Sequence, residues 1–189
     1  MKNFIVPMKG GIYIKGEKIV CLIGESGSGK TTMAKRLEDD GYNIIYSYTT
    51  RPPRKEDEWG HRFVDKREMD LDIAPESNFI AHQVLYGEHY FALPHQYQGK
   101  GISIYVIDPA GVRQVKARVD DAEIIVIYLQ CDEEIRYTRM LDSRAPDEVQ
   151  ERIKKDKEIF DVFECDYVID SNCDVNEQYE RLLQVMRGL

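Results

Sequence analysis

Several features that would each name a class of protein are missing from this sequence. Among 189 residues there are one tryptophan and four cysteines. Cys21, Cys131, Cys165 and Cys173 never fall at C-x-x-C spacing, which excludes a zinc framework and a disulfide scaffold and leaves four reduced packing residues. No apolar run spans a bilayer: residues 102–107 and 124–129 are far shorter than the roughly 20 residues needed. Residues 1–6 carry one charge and run into Pro7, Gly10 and Gly11, so they lack the apolar core of a secretory signal. These absences predict a soluble, cytoplasmic protein with no membrane partner. An excess of positive charge is missing too: 26 Lys+Arg against 34 Asp+Glu give a net charge of −8. General nucleic-acid binding is thereby excluded, and any anionic ligand must be held by a local cluster.

What is present suits one domain over residues 1–189, with 42% hydrophobic and 32% charged residues and neither a repeat nor a low-complexity linker. Unalternating apolar runs at 18–24, 42–46, 102–107, 124–129 and 167–169 read as buried strands. Helical segments are expected at 30–37, 109–119, 132–141, 146–163 and 175–186. Strands separated by helices predict an α/β fold with a parallel sheet covered on both faces. Between residues 49 and 101 the sequence turns polar, aromatic and turn-rich, as an inserted subdomain would. Residues 85–91 around Gly87 suggest a hairpin whose aromatics either pack a small β core or line a pocket. Residues 4–13 could supply an edge strand or an oligomer contact, so monomer and homodimer both stay open.

The strongest motif is Gly24-Glu25-Ser26-Gly27-Ser28-Gly29-Lys30-Thr31, a full G-x-x-x-x-G-K-[ST] between an expected strand and an expected helix. Such a loop turns backbone N–H groups onto phosphate oxygens at a helix N-terminus. Lys30 supplies a point charge, and the Thr31 hydroxyl suits Mg²⁺, with Thr32 beside it. A second motif, Thr49-Thr50-Arg51-Pro52-Pro53-Arg54, sets two arginines three apart on a stretch stiffened by prolines. Alone it reads as a solvated loop or a ligand for a proline-recognising domain. Behind a phosphate-binding loop it reads as a second anion clamp, which holds an acceptor in line.

With these motifs, together with Gly87-x-x-Tyr90, Ile107-Asp108-x-x-Gly111, the late Arg144 and Arg152, and Asp166-Tyr167-Val168-Ile169, the chain resembles guanylate kinase, a P-loop nucleoside monophosphate kinase, over nearly its whole length. The resemblance implies a P-loop NTPase-type parallel sheet flanked by helices, a small mixed β subdomain that binds the acceptor, and a helical lid. The core would be 17–48 and 101–189, the acceptor-binding insertion 49–100 and the lid about 141–152. It implies ATP as phosphoryl donor with Mg²⁺, and GMP as acceptor. Residues 24–32 would hold ATP, with Asn172 or Ser171 near the adenine. Ser47, Arg51, Arg54, Tyr90 and Asp108 would hold the acceptor, and Asp108 also reads as the N-cap of the helix beginning at Pro109. Lys30, Arg54, Arg144 and Arg152 would be the catalytic cations, the last two closing with the lid over the transferring group.

The departures concern the base. The family presents a Glu after Phe-Ile, where this chain has Ala81, and a hydroxyl residue at the position of Ala92. A methyl group cannot accept the guanine N1 and N2 hydrogens, and losing such a partner costs about 1.5–3 kcal/mol. His82, Gln83 or Glu88 could supply the missing acceptor. The stretch 60–64 is shorter than usual and lacks the family's phosphate-binding Tyr, leaving His61 or Arg62 in its place. Three functions follow: a nucleoside monophosphate kinase acting on GMP, a kinase of another nucleotide or small phosphorylated acceptor, and a non-catalytic guanylate kinase-like interaction module. The intact Lys30 and Thr31 weigh against the last. An ATPase or GTPase switch lacks an N-K-x-D base-recognition motif.

Overall fold

The computed structural model describes residues 6–8, 11–13, 16–54, 56–66, 78–85 and 87–189. Two short strands, β1 (Val6–Met8) and β2 (Gly11–Tyr13), pair antiparallel with each other rather than extending another sheet. Residue 4 lies outside the described residues.

The apolar runs form a five-stranded sheet in the order β11-β10-β3-β9-β4, every pair parallel. Its strands are β3 (Lys18–Ile23), β4 (Asn43–Ile44), β9 (Ile102–Val106), β10 (Glu123–Gln130) and β11 (Tyr167–Asp170). In β3 every residue from Ile19 to Ile23 is fully buried, because successive side chains enter different cores. Val20 and Leu22 pack with α1 (Lys30–Asp39) and α5 (Val175–Arg187); Ile19, Cys21 and Ile23 pack with α2 (Pro109–Arg118). A strand buried on both faces shows no alternation, which is why the run reads as continuous. Burial also pushes the Cys21 thiol up to about 12, which keeps it an inert packing group.

Two elements differ from expectation. The run at 42–46 is a strand only over Asn43–Ile44. The helix expected over 146–163, α4 (Pro146–Ile159), stops four residues early. Phe160 and Phe163 instead turn back onto Tyr128, with ring centroids 6.3 and 4.7 Å from it. Before α4 comes α3 (Glu133–Leu141).

The polar middle of the chain forms a second, mixed sheet in the order β6-β5-β8-β7, from β5 (Ser47–Thr49), β6 (His61–Phe63), β7 (Ala81–Leu85) and β8 (Glu88–Ala92). β5 runs parallel to β6 and antiparallel to β8, and β7–β8 is the expected hairpin with Leu85 opposite Glu88. Its aromatics divide between packing and pocket. Phe91 is buried, stacked 5.2 Å from Tyr48 and tilted against Phe79 at 4.8 Å, whereas Tyr90 lines a cavity. Among the described residues no helix is long and apolar enough to cross a membrane.

Candidate phosphate-binding site

The loop between β3 and α1 carries residues 24–29. Gly27 and Gly29 have φ of 83° and 96°, and Gly29 caps α1. Glycine is needed there both for the left-handed backbone and for space: a Cβ on Gly27 would lie 2.8 Å from the Arg136 carbonyl, and one on Gly29 2.9 Å from Gln178 Oε1.

Every carbonyl from Gly24 to Ser28 receives a donor. Lys30 Nζ donates to Gly24 O (2.6 Å) and Glu25 O (3.0 Å). Arg136 Nη1 reaches Ser26 O at 3.3 Å, Arg139 Nη1 reaches Gly27 O at 3.5 Å, and Gln178 Nε2 reaches Ser28 O at 3.0 Å. With its carbonyls held in this way, the loop is left with amide hydrogens and a helix N-terminus to offer an anion. Two amides are already taken: Ser28 N donates to Glu25 O at 3.2 Å, and Ser26 N to Asp156 Oδ2 at 2.7 Å, with Ser26 Oγ donating to Asp156 Oδ1 at 3.3 Å. Asp156 in turn pairs with Arg136 at 3.3 Å, both side chains nearly buried.

Burial drives the Lys30 ammonium from 10.5 down to about 8; Asp156 and Glu25 oppose the shift, and Arg136 and Arg152 reinforce it. Glu25 is itself held by the Tyr128 hydroxyl at 2.9 Å. Thr31 and Thr32 sit exposed in the first turn of α1. Among the described residues no cluster of three His, Cys, Asp or Glu could hold a metal. A single open threonine hydroxyl fits a Mg²⁺ that arrives bound to phosphate oxygens and needs few protein ligands.

The candidate second anion clamp lies beside the mixed sheet. Arg51 and Tyr90 come together, with Nε 3.2 Å from the phenol oxygen. The Arg51 fork is held by Glu58, Nη2 to Oε1 at 2.7 Å and Nη1 to Oε2 at 3.0 Å. Arg54 contributes its backbone N–H to Glu58 at 2.8 Å and leaves its side chain exposed. His61 is adjacent, its ring 5.8 Å from Tyr90, and burial lowers its pKa, which favours the neutral imidazole. Arg62 instead faces the rings of Tyr46 and Tyr48.

Ser47, Tyr90 and Asp108 share a cavity of about 130 Å³ with Ala81, Gln83 and Tyr105. Ser47 Oγ lies 3.3 Å from the Tyr105 hydroxyl. Asp108 does cap α2, accepting from Gly111 N at 2.7 Å, and it lines the cavity as well. Ala81 and Ala92 are directly opposed in the β7–β8 hairpin and almost fully buried.

Arg144 and Arg152 meet at a shared carboxylate, their Nε atoms 3.4 and 3.3 Å from Glu148 Oε1. Asn172 accepts from Asp132 N at 2.8 Å, tying the turn after β11 to the start of α3, while Ser171 is buried and accepts from Gln178.

Sequence reading missed Asp156, Arg136, Arg139, Gln178 and Glu58. Asp156 left one signal: it falls on the stripe Val149, Ile153, Asp156, at i, i+4, i+7, where α4 buries its apolar face. Glu58 left none, being placed by loop geometry. Its partner Arg51 holds the Glu58 carboxyl down at about 2, against 4.5 for a free group. Stability from this depressed pKa is therefore present above pH 4.5 and lost as pH falls from there toward 2, a contribution of roughly 1–2 kcal/mol after solvent screening. Thermal midpoints of wild type and Glu58→Gln should differ most above pH 5 and converge as pH falls toward 2.

The guanylate kinase family model matches residues 16–189. Among solved structures, the chain is similar to guanylate kinase from Anaplasma phagocytophilum, with TM-score 0.61 and 23% identity over 92% of this chain and 87% of that one. It is also similar to TT1252 from Thermus thermophilus, with TM-score 0.54 and 16% identity over 92% and 98%. No curated protein matches it significantly. A glycine-rich loop leaving the central strand of a parallel sheet, a separate mixed sheet and a family match over residues 16–189 lead to one assignment: the chain belongs to the guanylate kinase family.

Proposed function

We propose that the protein transfers the γ-phosphoryl group of ATP to a nucleoside monophosphate, with GMP the first candidate acceptor from family membership. The observation that carries this reading is the pairing of two separate anion sites: the loop at 24–31 with its carbonyls all engaged, and the Arg51–Tyr90 pair with the exposed Arg54 beside it. Phosphoryl transfer asks little covalent chemistry of a protein, so two phosphate clamps and a means of excluding water are most of what is required.

In this reading Lys30 leaves the Gly24 and Glu25 carbonyls for the β and γ phosphates of ATP. Mg²⁺ when bound would neutralise phosphate charge, with Thr31 as its protein ligand. Arg51, kept oriented by Glu58, and Arg54 hold the acceptor's phosphate. Segment 141–152 acts as the lid on the core formed by 17–48 and 101–189, and 49–100 as the acceptor-binding unit. Arg144 and Arg152 exchange Glu148 for the transferring group when the lid closes, and Asn172 or Ser171 meets the adenine side. The reaction takes place in water and calls for no nucleic acid or membrane. An interaction module without catalysis has no use for a half-buried lysine held against the carbonyls of this loop.

A second reading, transfer to an acceptor other than GMP, is favoured by the methyl group of Ala81 at the cavity, with Ala92 buried opposite it in the hairpin. ADP formation with Mg·ATP and GMP, dGMP, AMP, CMP, UMP or dTMP separates the readings, with a no-acceptor control. Arg54→Ala should raise the acceptor KM about 10- to 100-fold while leaving the ATP KM within twofold, as expected for a lost hydrogen bond to a charged group. Unchanged acceptor kinetics would remove Arg54 from the clamp.

A further inference from the structure

Three polar side chains near Ala81 are candidates to read the acceptor's base, and the structure separates them. Glu88 is engaged at the hairpin end, accepting from Thr50 Oγ1 at 2.6 Å and Lys66 Nζ at 3.1 Å. His82 also borders the cavity, but its ring is engaged with His89, the two stacked 5.2 Å apart with Nε2 2.9 Å from Nδ1. Gln83 shares the face of Ala81 and lines the cavity together with Ser47, Tyr90 and Tyr105.

The Gln83 carboxamide is oriented by its own hydrogen bonds. Nε2 donates to Asp108 Oδ1 at 2.9 Å and Oδ2 at 3.1 Å, and Oδ1 also takes the Gly111 N–H. Among the described residues, the one carboxylate lining the cavity is therefore engaged by the amide donor and the helix cap. Gln83 Oε1 has no partner among the described residues. The wall near Ala81 thus offers one fixed neutral acceptor.

We propose that Gln83 is the specificity-determining residue of the acceptor site, reading one N–H group of the nucleobase through its Oε1 while Asp108 holds its amide in place. The proposal rests on the nucleotide-kinase reading above. A single neutral hydrogen bond discriminates modestly, so the preferred acceptor should exceed the next by about 10- to 100-fold in kcat/KM, well short of the 10⁴ or more reached by sites with several buried polar partners.

The test is kcat/KM across the six nucleoside monophosphates with saturating Mg·ATP, for wild type, Gln83→Ala and Gln83→Met, the last keeping the side-chain length. Collapse of the wild-type preference by about tenfold or more in both variants, with the ATP KM unchanged, is the expected result. A uniform loss over all acceptors with the preference intact would make Gln83 structural and overturn the proposal, as would a preference unchanged in either variant. Wild type that binds Mg·ATP but phosphorylates none of the six would overturn the acceptor reading, and the proposal with it, before any variant is compared.

Discussion

Lys30→Ala is expected to abolish measurable transfer, lowering kcat by about 10²–10³ or more, without lowering the thermal midpoint. The two outcomes have one cause. Lys30 places its charge where the β and γ phosphates would lie, and removing a preorganised charge at developing negative oxygens costs at least this much. In the resting protein the same ammonium is desolvated, its pKa down at about 8 from 10.5. A lysine depressed in this way destabilises the folded state when charged. The unfolded chain holds the proton to higher pH, so wild-type stability should rise as pH climbs from about 8 toward 10.5. Lys30→Ala should lack that rise. Steady-state assays and midpoints at pH 7 and 9.5 measure both effects. A variant that loses its midpoint along with its activity would contradict the account.

Asp156→Ala should have the largest effect on stability, about 3–5 kcal/mol. Its partner Arg136 is 4% exposed, so truncating the carboxylate leaves a buried guanidinium without its counter-charge and the Ser26 amide without its acceptor. For a chain of this length that corresponds to a midpoint lower by about 6–20 °C. The pair itself need not be worth as much as breaking it costs. Replacing both residues, Arg136→Met with Asp156→Leu, removes the orphaned charge and should recover most of the loss. A double variant as unstable as the single one would place the energy in the Ser26 contact instead. Chemical denaturation of the three proteins distinguishes these outcomes.

The parallel sheet was legible in the sequence because its strands are buried on both faces, which writes them as unbroken apolar runs. The turn at 24–29 was legible because Gly27 and Gly29 are required there by backbone and by space. The pairing of β1 with β2 and the early end of α4 were not. The first depends on a local pairing without a long pattern, and the second on Phe160 and Phe163 finding Tyr128, a contact across more than 30 positions. Arg51 and Tyr90 could be linked through resemblance, but Glu58, which fixes the Arg51 fork, is recognisable only once the loop is folded. The same holds for Gln178: nothing in a helix near the chain's end announces that its amide grips Ser28 150 residues earlier.

The central position of β3 has a consequence for how the molecule comes apart. Bonded to a strand on each side and sealed by helices, it belongs to the last cooperative unit to open, and the phosphate loop is rooted in its end. The mixed sheet is built of strands of three to five residues, with Val84 and Leu85 about half exposed on its outer strand. Amide hydrogens there should exchange through smaller, more frequent openings. Under rising denaturant the mixed sheet would then open while the loop at 24–29 is still held in place.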